Sequence, residues 1–249
     1  MISFKNTPFK INGTQIYATQ ASLSEKVDYA RVEGLGYTDV GLAQSSRPEG
    51  EFSAEFYIRE GEADFFMTKT GLVQLNGAIG GVTFETGYME EFSLSIEPLS
   101  LIKANVKGRF FGPLTWGNPE VTPNDSEIEP DSDFAHGAKS TITNHTDAIS
   151  LSYSVSQSVE PSYVIGSTEI IGFKYRGGQI TVGLGGTGLQ TAVDYDCESG
   201  EPNVTINLNS ICGGELDVIS NTGFKVTNSS ISVSASEDLV GNMELIKYI

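Results

Sequence analysis

The chain is poor in the residues on which most catalytic and metal chemistry depends: two histidines, two cysteines and one tryptophan in 249 residues. Two cysteines, Cys197 and Cys212, are too few for a disulfide scaffold. They flank the Val204–Leu208 run and either pair or sit as small buried thiols. Cations are scarce too: 15 Lys and Arg stand against 32 Asp and Glu, a net charge of −17. That balance argues against tight direct binding of nucleic acid, which needs basic groups facing phosphates. It leaves room for a polyanion passing nearby, because an acidic wall repels it and prevents sticking. Long apolar runs are also missing. Nothing approaches the roughly 20 residues of a membrane span, and MISFKNTPFK lacks the apolar stretch of a secretory signal. The sequons at Asn12, Asn144, Asn203 and Asn228 are therefore taken as chance matches in an Asn/Ser/Thr-rich chain.

What the chain does have is strand and turn chemistry: 13 Phe, 10 Tyr and 28 Gly, with abundant Thr, Ser, Ile and Val. The clearest signal runs from Leu151 to Leu184. Leu151, Tyr153 and Val155 alternate with Ser152, Ser154 and Ser156, the period-two pattern of a half-buried strand. A break at Glu160-Pro161 follows, then Gly166-Ser-Thr-Glu-Ile170, Gly177-Gly178, and a second alternation at Ile180, Val182 and Leu184. The same outline occurs between Ile16 and Ile58, through Gly36-Tyr-Thr-Asp-Val40 and then Phe52, Ala54, Phe56 and Ile58. A short helix is expected over Glu60–Thr70, where acidic residues in the first turn suit the helix dipole. Strands follow at Val82–Thr86, Phe92–Ile96 and Leu101–Phe111, and the second half repeats that order down to Leu239–Ile249. A second short helix is expected around Leu189–Tyr195.

The expected fold is mainly β: two tandem antiparallel units that form sandwiches or barrels, each with a short flanking helix. Residues 1–13 read as an N-terminal arm, 14–111 as the first unit, 112–148 as an acidic, Pro-rich linker and 149–249 as the second unit. The linker holds four of the nine prolines, Trp116 and both histidines.

No catalytic or cofactor-binding constellation emerges, so neither an enzyme nor a cofactor is expected. His136 and His145 lie among acids, but their spacing fits no usual metal-ligand pattern. The run Asp194-Tyr-Asp-Cys-Glu-Ser-Gly200 resembles half of a calcium loop without its late bidentate Glu. Gly183-Leu-Gly-Gly-Thr-Gly188 lacks the Lys-Ser/Thr ending of a phosphate loop and suits a turn or bulge. Glu90-Glu91 is one acidic pair among many in this chain.

The repeated outline, alternating strand, connection, Gly-x-Thr-acid-aliphatic, loop and alternating strand, resembles the tail tube proteins of tailed bacteriophages. It also resembles their relatives in baseplate hubs and contractile injection systems. The resemblance covers roughly 14–111 and 149–249, and leaves the acidic segment outside it. It implies rings of six such units whose inner sheets join around a lumen, with three tandem chains per ring or six single ones, and rings that stack into a tube. It further implies a virion component made in the bacterial host cytoplasm, other tail or baseplate proteins as partners, and DNA that crosses the lumen without specific binding. Within that frame Glu51, Ser53, Glu55, Gln179 and Thr181 are candidate lumen-facing residues. Phe4, Phe9, Val40 and Arg47 are candidate contacts between rings. A tube-initiating hub, or a β-sandwich adhesin or carbohydrate-binding module, is the alternative.

Overall fold

A computed structural model describes residues 9–32, 41–44, 47–117, 130–143, 148–165, 170–186, 202–232 and 240–249. Strands make up 67% of the structure and helix 5%, with antiparallel pairing throughout the sheets. The first strands are β1 (Phe9–Ile11), β2 (Thr14–Ile16), β3 (Ala18–Lys26), β4 (Tyr29–Val32), β5 (Gly41–Gln44) and β6 (Glu49–Tyr57). Helix α1 (Glu62–Met67) follows, then β7 (Leu75–Ile79), β8 (Val82–Ile96), β9 (Lys103–Phe111) and β10 (Thr115–Trp116). After α2 (Pro130–Asp133) come β11 (Thr141–Ile142), β12 (Ala148–Ser162), β13 (Gly172–Gly186), β14 (Val204–Asn209), β15 (Glu215–Asn221), β16 (Lys225–Ser232) and β17 (Val240–Tyr248).

The long alternating stretch folds as the sequence pattern requires. β12 and β13 pair with Leu151 opposite Leu184, Tyr153 opposite Val182 and Val155 opposite Ile180, so the apolar residues of both strands share one face. Pro161 does not end β12. It lies opposite Phe173 near the far end of the hairpin, beyond the stretch where β8 and β17 flank it, so the N–H that proline lacks is missed by no neighbour there. The expected helix is real but shorter, six residues ended by Thr68. The two short strands expected around residues 82–86 and 92–96 are one strand, β8, bent at Thr86 (φ 57) and shifted in register between Met89 and Glu91.

The bend lets β8 serve two sets of neighbours. Its first residues pair with β7, which pairs with β1, which pairs with β2. Its later residues pair with β9 on one side and β12 on the other. Asn12-Gly13 (φ 49 and 80) and Gly80-Gly81 (φ 55 and 89) supply the positive φ angles that tight two-residue hairpins demand. A separate sheet runs β11-β14-β15, and β4 pairs with β5 alone.

One core unites the two halves of the chain: Phe52, Phe84, Phe92 and Phe110 belong to the same buried cluster as Tyr153, Val182, Ile206 and Leu245. Phe84 stacks between Phe52 and Phe110, with ring centroids 4.9 and 5.1 Å away. Each such ring stabilises the fold by about 2–3 kcal/mol through burial. Tyr153 buries its ring and satisfies its hydroxyl by donating to Met67 Sδ (3.4 Å) and accepting from Asn221 Nδ2 (2.9 Å). Burial raises its pKa.

The boundaries read from the sequence meet this packing at three places. Residues 9–16, expected in or beside an arm, form a hairpin whose Phe9, Ile11 and Ile16 are buried. The described end of the expected linker is built into the fold: the Ala135 N–H donates to Ile58 and the Ala135 carbonyl accepts from Ile102, while Phe134 and Ala135 are buried. The two expected units also share a sheet, through β8 and β12.

A buried glutamine ties the loop after α1 to β12. Gln157 Nε2 donates to the Met89 carbonyl (2.6 Å), and Gln157 Oε1 accepts the Gly71 N–H (2.7 Å). Gln157→Ala orphans both backbone groups and is expected to cost about 2 kcal/mol. Urea denaturation checks this, and a loss under about 0.5 kcal/mol contradicts the role given to Gln157.

Candidate assembly surface

The large sheet contains a run of eight strands, β3-β6-β9-β8-β12-β13-β17-β16, hydrogen-bonded neighbour to neighbour. Side chains alternate across it. Phe52, Ala54, Phe56, Phe92, Leu94, Tyr153, Val155 and Val182 point into the core. The opposite face is polar, and the register shows how far it extends. Ser22, Ser53, Lys107, Glu91, Ser156, Gln179 and Tyr248 occupy one row across seven strands. Gln20, Glu55, Asn105, Ser93, Ser154, Thr181, Ile246 and Lys225 occupy the next. The five residues singled out from the sequence, Glu51, Ser53, Glu55, Gln179 and Thr181, thus lie on one face of one sheet, though they come from opposite halves of the chain.

The face is hydroxyl-rich, and three of its cations sit beside carboxylates. Ser22 and Ser53 share a hydrogen bond of 2.8 Å, and Gln179 Nε2 donates to Thr181 Oγ1 at 3.1 Å. Lys107 Nζ contacts Glu91 at 3.0 Å, Lys103 Nζ contacts Glu55 at 3.7 Å and Arg109 Nε contacts Glu90 at 2.6 Å. The two lysine pairs are exposed and add little stability, whereas the Arg109–Glu90 pair is half-buried. Their consequence is electrostatic: Lys103, Lys107 and Arg109 already have carboxylate partners. Lys103, Lys107 and Arg109 were legible as the polar side of an alternating strand, but their acidic partners lie 16 to 48 residues away and only the register reveals them.

Toward the β12–β13 hairpin the polar face is closed over. Val159 and Phe173 pack against Tyr88 and Phe111 in a second buried cluster, with Phe173 ring centroids 4.7 and 5.2 Å from those two rings. The hairpin therefore leans on strands of the first half.

Both ends of the eight-strand run are unpaired among the described residues: β3 pairs only with β6, and β16 only with β17. No family model matches the chain, and no curated protein matches it.

The candidate ring-to-ring residues fare differently. Phe9 is 1% exposed, packed in the chain's own core, and so has no surface to offer a second ring. Arg47 is half-buried beside the start of β6. Phe4 and Val40 lie outside the described residues, as do His145, Cys197, the acidic run from Asp194 and the second expected helix. Cys212 is exposed with a free thiol, and His136 Nδ1 accepts the Ala138 N–H at 3.1 Å. Among the described residues no group of three or more His, Cys, Asp or Glu is placed to hold a metal, and no helix is long and apolar enough to cross a membrane.

Proposed function

We propose that the chain is a structural protein whose copies join edge to edge into rings, and that stacked rings form a bacteriophage tail tube through which DNA leaves the virion. The tail assignment rests on the resemblance in sequence pattern. The self-assembly rests on strand order. Along the chain the first half supplies β3, β6, β8 and β9, which lie side by side as β3-β6-β9-β8. The second half supplies β12, β13, β16 and β17, which lie as β12-β13-β17-β16. Both read first, second, fourth, third. In each half the first two strands also continue beyond a register break into an outer hairpin, β4–β5 in one and Val159–Tyr175 in the other. A tandem duplication accounts for this recurrence.

Where the halves meet, the third strand of the first unit (β8) pairs with the first strand of the second (β12). The two free ends of the eight-strand run are a complementary pair: β3 is the first strand of its unit, and β16 the third strand of its own. Repeating the internal junction between chains sets β16 of one copy against β3 of the next. That contact is head-to-tail, and it closes a ring when the rotation per unit allows. Closure also removes two long edges that otherwise invite uncontrolled pairing. Three chains supply the six units that the resemblance implies.

The core face of the sheet is covered by the chain's own elements, which leaves the polar face for the lumen. A wall of hydroxyls, with Lys103, Lys107 and Arg109 held by carboxylates, lets DNA slide, because those three cations are not free to hold phosphates. The double substitution Glu51→Lys with Glu55→Lys tests this. Particles are expected to assemble normally but to eject DNA about tenfold more slowly at low salt, recovering as salt rises. Failed assembly together with normal ejection from the surviving particles removes these residues from the lumen.

A further inference from the structure

Two of the buried polar side chains among the described residues are carboxylates from opposite halves of the chain, Glu62 in α1 and Asp217 in β15. Buried carboxylates are costly unless partnered. Helix α1 starts after Gly61 with no side-chain cap of its own. Its cap comes from 153 residues away: Asp217 Oδ2 accepts the Asp64 N–H at 2.9 Å. The Leu216 carbonyl accepts the Gly61 N–H beside it, at 3.3 Å. Glu62 turns back, and its Oε2 accepts the Arg59 N–H at 2.8 Å.

One guanidinium serves this cluster. Arg59 reaches Asp133 at 3.5 Å, lies 4.3 Å over the Tyr17 ring and 5.8 Å from that of Phe134, and acts on Glu62 through its charge. Arg59 thus serves Glu62 and Asp133, while Asp64 in the first turn of α1 points its side chain to solvent. An ionised Glu62 puts a second buried negative charge beside Asp217.

We propose that Glu62 and Asp217 form a proton-operated clasp: a proton on Glu62 keeps α1 closed on the β11-β14-β15 sheet, and its loss lets them part. Burial pushes the Glu62 carboxyl up to about 7, the Arg59 N–H and guanidinium pull it down, and Asp217 opposes its ionisation. In the opened chain the group ionises near 4.5, so between the two values the closed form holds a proton that the opened form lacks. Closure is therefore strongest below the lower value and weakens as pH rises through the upper one. The clasp lies within one chain and does not depend on assembly.

Hydrogen–deuterium exchange on the intact protein from pH 5 to 8.5, corrected for intrinsic exchange rates, tests it. Protection at residues 62–67 and 215–221 is expected to fall on the order of 100-fold across the range, while residues 92–96 of the main sheet stay constant. Glu62→Gln is expected to hold the acid-side protection at every pH. Asp217→Asn keeps an acceptor for the Asp64 N–H and is expected to move the step to lower pH. Flat wild-type protection, a fall spread equally over all strands, or an unchanged step in Glu62→Gln overturns the proposal. If neither variant folds, the wild-type profile decides alone.

Discussion

Replacing Gly108 by alanine is expected to lower the melting temperature by roughly 6–12 °C, a loss of about 3 kcal/mol. The cause is steric, and it comes from the face on which Gly108 sits. A Cβ there falls inside contact distance of the Tyr88 carbonyl oxygen and of the Phe52 ring. The carbonyl belongs to the neighbouring strand and cannot rotate away. The Phe52 ring is 1% exposed and stacked on Phe84, so it cannot swing aside without opening a void. Gly50, against Ser24 and Phe110, repeats the arrangement one strand over. Gly183 on the polar face is the control. Its Cβ would meet only the Ser152 hydroxyl, at 2.6 Å, which a rotamer change relieves. Gly183→Ala is expected to cost under about 1 kcal/mol. Calorimetry of both variants decides the point: equal losses would mean that the glycines matter for strand flexibility and not for the flat seating of the phenylalanines.

Proline at the β16 edge is expected to abolish assembly without unfolding the chain. In an edge strand, successive residues direct their N–H groups alternately toward the inner neighbour and toward the open side. Ser229 and Ser230 are adjacent, exposed and opposite Met243 and Asn242 of β17, so one of the two presents its N–H outward. Of Ser229→Pro and Ser230→Pro, the one that keeps the wild-type melting temperature removes only the outward donor. That variant deprives an incoming β3 of a partner at every junction, a penalty of about 2 kcal/mol each. Each association constant then falls roughly 30-fold, and a ring closed by several junctions does not form at concentrations that suffice for the wild type. If the stable proline variant assembles as well as the parent, β16 is not the joining edge.

How much of this was legible in the sequence follows from what sets each feature. The β12–β13 hairpin was readable because period-two alternation reports burial on one face, and Leu151, Tyr153 and Val155 leave no other register. The polar row containing Ser53 and Gln179 was readable for the same reason, strand by strand. That these strands share one sheet was not, since pairing between residues 91–96 and 151–156 is long-range. Pro161 misled because a proline usually ends a strand, yet this one sits beyond the flanking strands, where no donor is needed. Phe9 misled because an aromatic near the N-terminus looks like a free arm until β7 is seen to receive it. The Glu62–Asp217 pair carried no signal in a chain of 32 acids, because burial singles it out and local sequence does not.

The central claim is that complementary free edges join copies of this chain head to tail. Negative-stain microscopy with sedimentation velocity, over rising protein concentration and several salt conditions, tests it most directly. Closed rings of about six units, stacking into tubes as concentration increases, are the expected result. A protein that stays strictly monomeric under every condition contradicts it.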